Sequence, residues 1–252
     1  LSLNRRKIFS YLDFRVRSAS LIGGNRLAAL LEGYFGDMRI TDLPRPFIAI
    51  ATDLITGHEV WLRKERFVDA LCASFALPGI FPPVKLHGRY LLDGALVNPV
   101  PVTPCRAMGA RLNIAIDLNA DIIGKSAKPG ESFQTVAGFD VFNKSDVGEE
   151  DQKIFKNSMA RRIFRRNPDE PSLFGVMVSA LNITQDRITR SRLGGDPPDI
   201  HINPYIGHIG LLEFERAEEL IHEGEQCVER IIPDIKAATE VLIPEEYRPN
   251  ID

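Results

Sequence analysis

The longest apolar stretch of the chain, residues 71–84 (LCASFALPGIFPPV), is interrupted by Pro78, Pro82 and Pro83, and this punctuation constrains what can form around it. A helix that crosses a bilayer needs about 18 consecutive apolar residues, and no uninterrupted run here approaches that. Proline also disfavours a helical residue in front of it. The helix expected over residues 66–76, with Phe67, Ala70, Leu71 and Phe75 at helical spacing, must therefore stop before Pro78-Gly79. The chain then runs extended through Pro82-Pro83-Val84. It enters two short β-like pieces within residues 85–92, divided by a turn at Gly88 and closing on Asp93-Gly94.

The flanking segments alternate in the same way. Residues 25–35 place Leu27, Leu30, Leu31 and Tyr34 on one face of a short helix between glycines. Residues 46–54 (PFIAIATDL) and 59–62 (EVWL), on either side of Thr56-Gly57, read as strands, and 101–108 as a helix stopped by Gly109. Residues 112–118 (LNIAIDL) read as a buried strand, 171–192 as a helix and 199–203 (DIHIN) as a strand. A long helix over 213–232 sets Phe214, Ala217, Leu220, Ile221, Val228 and Ile231 on one stripe, and 242–252 reads as a loose tail. Parallel strands need helical crossovers and are covered on both faces, so the alternation predicts an α/β fold with a mostly parallel central sheet sandwiched by helices. The 252 residues are read as a single domain. Its core is 1–118. Residues 119–171 form an insertion or loop region of mixed charge, helical in pattern only at 151–166, and 172–252 supply closing helices and a strand.

A composition of 44% hydrophobic and 26% charged residues suits a globular protein with a packed core. The formal net charge of -3 gives no global attraction to nucleic acid, and no nucleic-acid partner is expected. Cys72, Cys105 and Cys227 are odd in number and widely spaced, which suggests neither a disulfide framework nor a cysteine zinc site and fits a reducing, cytoplasmic setting. His58, His87, His201, His208 and His222 form no HExxH pair, and neither GxGxxG nor GxxxxGK[ST] is present, so no metal and no cofactor is expected. The opening residues, LSLNRRKIFSYLDF, carry charge without an apolar core behind it, unlike a signal peptide. The leucine start raises the expectation of further sequence upstream.

One stretch bears on partners. In residues 153–166 (KIFKNSMARRIFRR), Ile154, Phe155, Met159 and Ile163 can share a helix side while Lys156, Arg161, Arg162, Arg165 and Arg166 crowd the others. That pattern suits a helix lying on an anionic lipid surface, a peripheral membrane contact. An ordinary solvated helix face accommodates the same residues.

Asp93 closes the apolar run Tyr90-Leu91-Leu92, where a strand delivers a carboxylate to the sheet edge and ligands of open α/β sheets bind. By composition alone Asp93-Gly94 is a common hairpin signal. A partly desolvated carboxylate can nevertheless act as the base that a serine hydroxyl, a poor nucleophile at neutral pH, requires. Ser74 does not fit that nucleophile: Cys72 and Ala76 flank it in place of glycines, and it lies within an expected helix. Ser18 and Ser20 form no GxSxG either.

Taken together, residues 74–83 (SFALPGIFPP), Asp93-Gly94-Ala95 and residues 98–102 (NPVPV) resemble, in order and spacing, the second half of the patatin-like phospholipase family. Similarity to bacterial members runs from about residue 23 to 118, including PFIAIATDLITGHEVWL, and resumes over 182–227, whereas 119–171 match less clearly. The resemblance implies a serine-aspartate dyad without a catalytic histidine, the serine in a GxSxG elbow and the aspartate in a DG(G/A) motif. On that basis Asp93 is the general base, Gly94 and Ala95 complete its motif, and the nucleophile with its oxyanion loop belongs to a segment these residues do not contain. The implied activity of the intact protein is lipid acyl hydrolysis of the phospholipase, lysophospholipase or carboxylesterase type, acting on a lipid or acyl ester, with the chain alone inactive. The alternative is a catalytically inactive patatin-like binding or scaffold protein, and truncation or natural loss would each account for the missing elbow. An unrelated α/β enzyme with a ligand at the same sheet edge is a further alternative.

Overall fold

Two tight turns decide the topology. Strands β1 (Ala49–Asp53) and β2 (Glu59–Leu62) are joined through Asp53, whose Oδ1 accepts from the backbone N–H groups of Ile55 at 2.9 Å and Thr56 at 3.0 Å. An aspartate that bonds its own following backbone in this way substitutes for a backbone turn. The strands consequently pair antiparallel, Ala49 opposite Leu62 through Thr52 opposite Glu59. Strands β3 (Val84–Leu86) and β4 (Arg89–Asp93) are joined by His87 and Gly88, at φ 49° and 78°. Two successive left-handed residues make the turn whose twist matches a hairpin. In the computed structural model, which describes residues 24–120, 173–209 and 216–248, β1 also pairs antiparallel with β4, giving a four-stranded sheet of order β2-β1-β4-β3.

The mixed α/β character stands, but the expectation of a mostly parallel sheet is corrected. The connections 54–58 and 87–88 are far shorter than the roughly dozen residues a parallel crossover needs. Among the described residues, parallel pairing joins β5 (Ile114–Ile116) to β6 (Ile200–Ile202), strands far apart in sequence with a long helix between them.

Helices α1 (Asn25–Phe35), α2 (Phe67–Ser74), α3 (Val102–Ala107) and α4 (Leu173–Gly195) lie where the periodicity predicts them. Every residue of β1 is buried, and Ala49, Ala51, Leu62 and Leu91 of the sheet pack with Phe67, Ala70 and Ala73 of α2. Alanines at the contact let the helix backbone come close to the strand. Phe67 is flanked edge-on by Phe35 at 4.9 Å and Phe47 at 5.2 Å, an aromatic arrangement that adds to its buried area. Around the parallel pair, Val100, Val102 and Ala115 pack with Leu193. Ile200 and Ile202 pack with Leu112, Cys227, Ile231, Ile235 and Ala238.

Three further expectations are revised. Residues 112–118 are not a strand buried on both faces: Ile114, Ile116 and Leu118 are 46%, 57% and 54% exposed. Register places Ile114 and Ile116 beside Ile200 and Ile202, and helix α5 (Ala217–Leu242) covers the β6 side of that face. The last helix does not stop at 232 but continues through Pro233 to Leu242. Its apolar stripe goes on beyond the proline, with Ile235 and Ala238 against β6, and their burial offsets the lost backbone hydrogen bond. The tail is docked as far as Arg248, whose guanidinium donates to the carbonyls of Ile243 at 3.0 Å and Glu240 at 2.7 Å.

The basic stretch with Lys156, Arg161, Arg162, Arg165 and Arg166 lies outside the described residues. Among the described residues no helix is long and apolar enough to cross a membrane.

Pro233 is exposed and lacks the N–H that position 233 would direct to residue 229. Pro233→Ala should stabilise the protein by about 1–3 kcal/mol, read as a higher midpoint in urea unfolding. The turn after β4 behaves oppositely. A Cβ on Gly94 would lie 2.6 Å from the carbonyl carbon of Ile50, a backbone atom of the buried strand that cannot step aside. Gly94→Ala should cost roughly 1–3 kcal/mol, and an unchanged midpoint would contradict the close approach.

Candidate active site

β4 ends at Asp93, and its backbone is held on both sides. The ladder to β3 reaches its end with Val84 opposite Leu91, so two residues further on the Asp93 N–H turns to the carbonyl of Ala76 at 3.0 Å, just past α2. On the other side the Asp93 carbonyl accepts from Thr52 Oγ1 at 2.8 Å. The Ala76 bond physically ties the SFALPGIFPP segment to the Asp93-Gly94-Ala95 turn. Beyond Ala76 the chain reverses, with Ile80 and Phe81 donating to the Leu77 carbonyl, Gly79 at φ 81°, and the Phe75 and Phe81 rings 5.3 Å apart edge-on. Gly79 sits against Met177 of α4.

The side chain of Asp93 caps the short 3-10 turn Gly94–Leu96, its Oδ1 accepting from the Ala95 N–H at 2.7 Å. Burial pushes the carboxyl up to about 6, and the Ala95 N–H opposes that rise by favouring the ionised form. Such a group is mostly ionised at neutral pH yet takes a proton more readily than an ordinary carboxylate, which is what a general base needs. Asp53 shows the contrast. More fully buried than Asp93, it is held below the usual carboxylate range, first by the Thr56 N–H, with the Ile55 N–H and Arg89 acting in the same direction. The Asp53 carboxylate is satisfied by its turn, and the Asp93 carboxylate is desolvated.

Asp93, Gly94 and Ala95 form one turn at the end of β4, and Ser74 ends α2, a helical position rather than an elbow. Burial, followed by Asp69 and Glu32, pushes the Cys72 thiol up to about 11, which disfavours its thiolate at neutral pH. All three cysteines are free. His208 pairs with Glu219 at 2.8 Å and His201 lies 3.9 Å from Asp117, while among the described residues no three His, Cys, Asp or Glu side chains converge as metal ligands.

Sequence reasoning passed over Glu59 and Asn98. Glu59 accepts from Trp61 Nε1 at 2.7 Å and Asn98 Nδ2 at 3.0 Å and pairs with Arg192 at 3.1 Å. Asn98 in turn donates its backbone N–H to the Gly94 carbonyl at 2.8 Å. Asn98 stands in the NPVPV segment, five residues after Asp93, but nothing in the pattern EVWL distinguishes Glu59 from the polar face of any strand.

Comparison with known proteins finds similarity over part of the chain. Residues 2–106 match the family model described as patatin-like phospholipase. An uncharacterized NTE family protein of Mycobacterium tuberculosis is 28% identical over 261 residues, covering 88% of this chain and 72% of the relative. A second uncharacterized NTE family protein of that organism is 32% identical over 111 residues, covering 44% of this chain and 19% of its own length. The patatin-like phospholipase domain-containing protein 7 of Mus musculus is 32% identical over 118 residues, covering 43% of this chain and 8% of its own. The matched model spans the antiparallel sheet, the Ala76 tie and the Asp93-Gly94-Ala95 turn, and over these residues the chain is similar to the patatin-like phospholipase family.

Proposed function

We propose that this chain provides the general base, Asp93, of a lipid acyl hydrolase that works through a serine-aspartate dyad. The observation that carries the reading is a half-buried carboxylate at a strand end, desolvated and fixed by one backbone N–H, within the family's DGA motif. Similarity to the patatin-like phospholipase family supports hydrolysis of lipid esters, and the mouse relative is named for the same domain. The 252 residues hold no GxSxG, so in this reading the serine comes from sequence outside them.

The chemistry balances with one base. The serine oxygen bonds to the ester carbonyl carbon while its proton passes to an Asp93 carboxylate oxygen. Collapse of the tetrahedral intermediate breaks the bond to the alcohol, which leaves with that proton. Water then attacks the acyl-serine, giving its proton to Asp93. The second collapse frees the carboxylic acid and returns the proton to serine. Gly94, which lets the turn lie close over β1, keeps the base at the sheet end throughout.

Two measurements test the assignment. Asp93 has its folded pKa raised above its unfolded value, so between about pH 4 and 6 the native state binds more protons and stability falls as pH rises. Asp93→Asn should therefore be more stable than wild type at pH 8, on the order of 1–2 kcal/mol given that the carboxyl is only half-buried, and indistinguishable near pH 3. Equal urea midpoints at pH 8 would show that the carboxylate is not desolvated. In the protein carrying its serine segment, Asp93→Asn should lower kcat on a short-chain acyl ester by ~10²-fold or more. Wild-type kcat/KM should decline below about pH 6. Turnover within a few-fold of wild type removes Asp93 from the mechanism.

A further inference from the structure

Glu59 lies on edge strand β2, remote in sequence from the Asp93 motif, yet its carboxylate gathers three chain segments. Oε1 accepts from Trp61 Nε1 and from Asn98 Nδ2, and Oε2 faces Arg192 of the last turn of α4 at 3.1 Å. A carboxylate offers acceptors only, so it fixes the Asn98 amide with its NH2 toward Glu59. That orientation leaves Asn98 Oδ1 buried without a partner, in a residue only 3% exposed.

The Asn98 backbone supplies the next link, donating its N–H to the Gly94 carbonyl at 2.8 Å. The Val97 N–H bonds the same carbonyl at 3.1 Å, and α4 packs against the Gly94–Leu96 turn. The Gly94 carbonyl belongs to the peptide whose N–H, that of Ala95, is held by Asp93 Oδ1 at 2.7 Å. One rigid peptide plane therefore has its oxygen anchored by Asn98 and its N–H directed at the base. Among the described residues no charged side chain acts on the Asp93 carboxyl; burial and that N–H do.

We propose that Glu59 and Asn98 are positioning residues for Asp93: Glu59, locked by Arg192 and Trp61, holds the Asn98 side chain, and the Asn98 backbone holds the Gly94–Ala95 peptide so that its N–H stays on the carboxylate. The catalytic consequence rests on the reading of Asp93 as the general base. The positioning itself is measurable without turnover.

The Ala95 amide proton reports the geometry directly, because an N–H bonded to a carboxylate shifts downfield when the carboxylate ionises. In amide NMR spectra of the full chain taken from pH 4 to 8, wild type should show this shift with a midpoint near 6. Asn98→Ala and Glu59→Ala should lose most of its amplitude. Glu59→Gln, which keeps an oxygen to accept from Trp61 and Asn98, should retain it. If Glu59→Ala does not fold, Asn98→Ala and Arg192→Met, the latter at a side chain 42% exposed, carry the test. Full amplitude in the folded Asn98→Ala or Glu59→Ala variant overturns the proposal. In the protein carrying its serine segment, the same two variants should lower kcat about ten- to a hundred-fold with KM unchanged, since a small misplacement of a catalytic group has that effect. A loss confined to KM, or none, overturns the catalytic part. Undiminished turnover in Asp93→Asn would instead defeat the base assignment, and the amide spectra would still decide the positioning.

Discussion

The backbone of β1 at Ile50 is where Gly94 comes closest, and the rest of the site depends on that approach. β1 is buried along its whole length between β2, β4 and α2, so its atoms are fixed by everything packed on them. A turn laid against such a strand inherits its rigidity. The absence of a Cβ at position 94 lets the chain leave β4 and fold tightly over Ile50 instead of swinging out to water. Thr52 on the same strand then takes the Asp93 carbonyl, and the carboxylate is left in a partly dry place with little freedom to leave it. For the proposed base, restriction before substrate arrives removes an entropic cost that the reaction would otherwise bear.

Desolvation and hydrogen bonding compete at Asp93, and the balance falls the other way from that at Asp53. Asp53 Oδ1 receives two backbone N–H groups, and Arg89 lies 3.8 Å from Oδ2. Those partners outweigh burial, and the charged form wins. Asp93 receives one N–H, and burial wins. A turn-forming aspartate and a candidate base thus differ in how many donors and cations face the carboxylate and in how far it is desolvated, although both sit at the ends of adjacent strands in one sheet.

Much of this could be read from sequence, for identifiable reasons. Elements with strong punctuation were legible: Pro78 ends α2, Gly24 and Gly36 bracket α1, and His87-Gly88 turns β3 into β4. Asp93, Gly94 and Ala95 were legible through resemblance, since an Asp-Gly pair alone is an ordinary turn. Strand direction was not. Apolar runs such as AIATD look the same in a parallel or an antiparallel sheet, and the short 54–58 connection carries the information that the residue pattern does not. The reach of α5 past Pro233 was hidden because the tertiary contacts of Ile235 and Ala238, not local propensity, decide it. Glu59 was hidden for a similar reason: its partners Asn98 and Arg192 lie 39 and 133 positions away, and no local period encodes such a meeting.

Because the segments that hold Asp93 are dispersed, the environment of its carboxylate is a property of the assembled fold rather than of the Asp93-Gly94-Ala95 motif alone. Its N–H is taken by the chain just past α2, its carbonyl by β1, and its carboxylate by a peptide anchored through the NPVPV segment. Opening any one of these exposes the carboxylate to two opposing influences. Water entering the site lowers the proton affinity that burial raised, whereas losing the Ala95 N–H raises it further. The outcome depends on which contact breaks first. A site built this way changes character through local opening of a few residues, well before the sheet itself unfolds, because the turn carries far less buried apolar area than β1 and α2 beneath it.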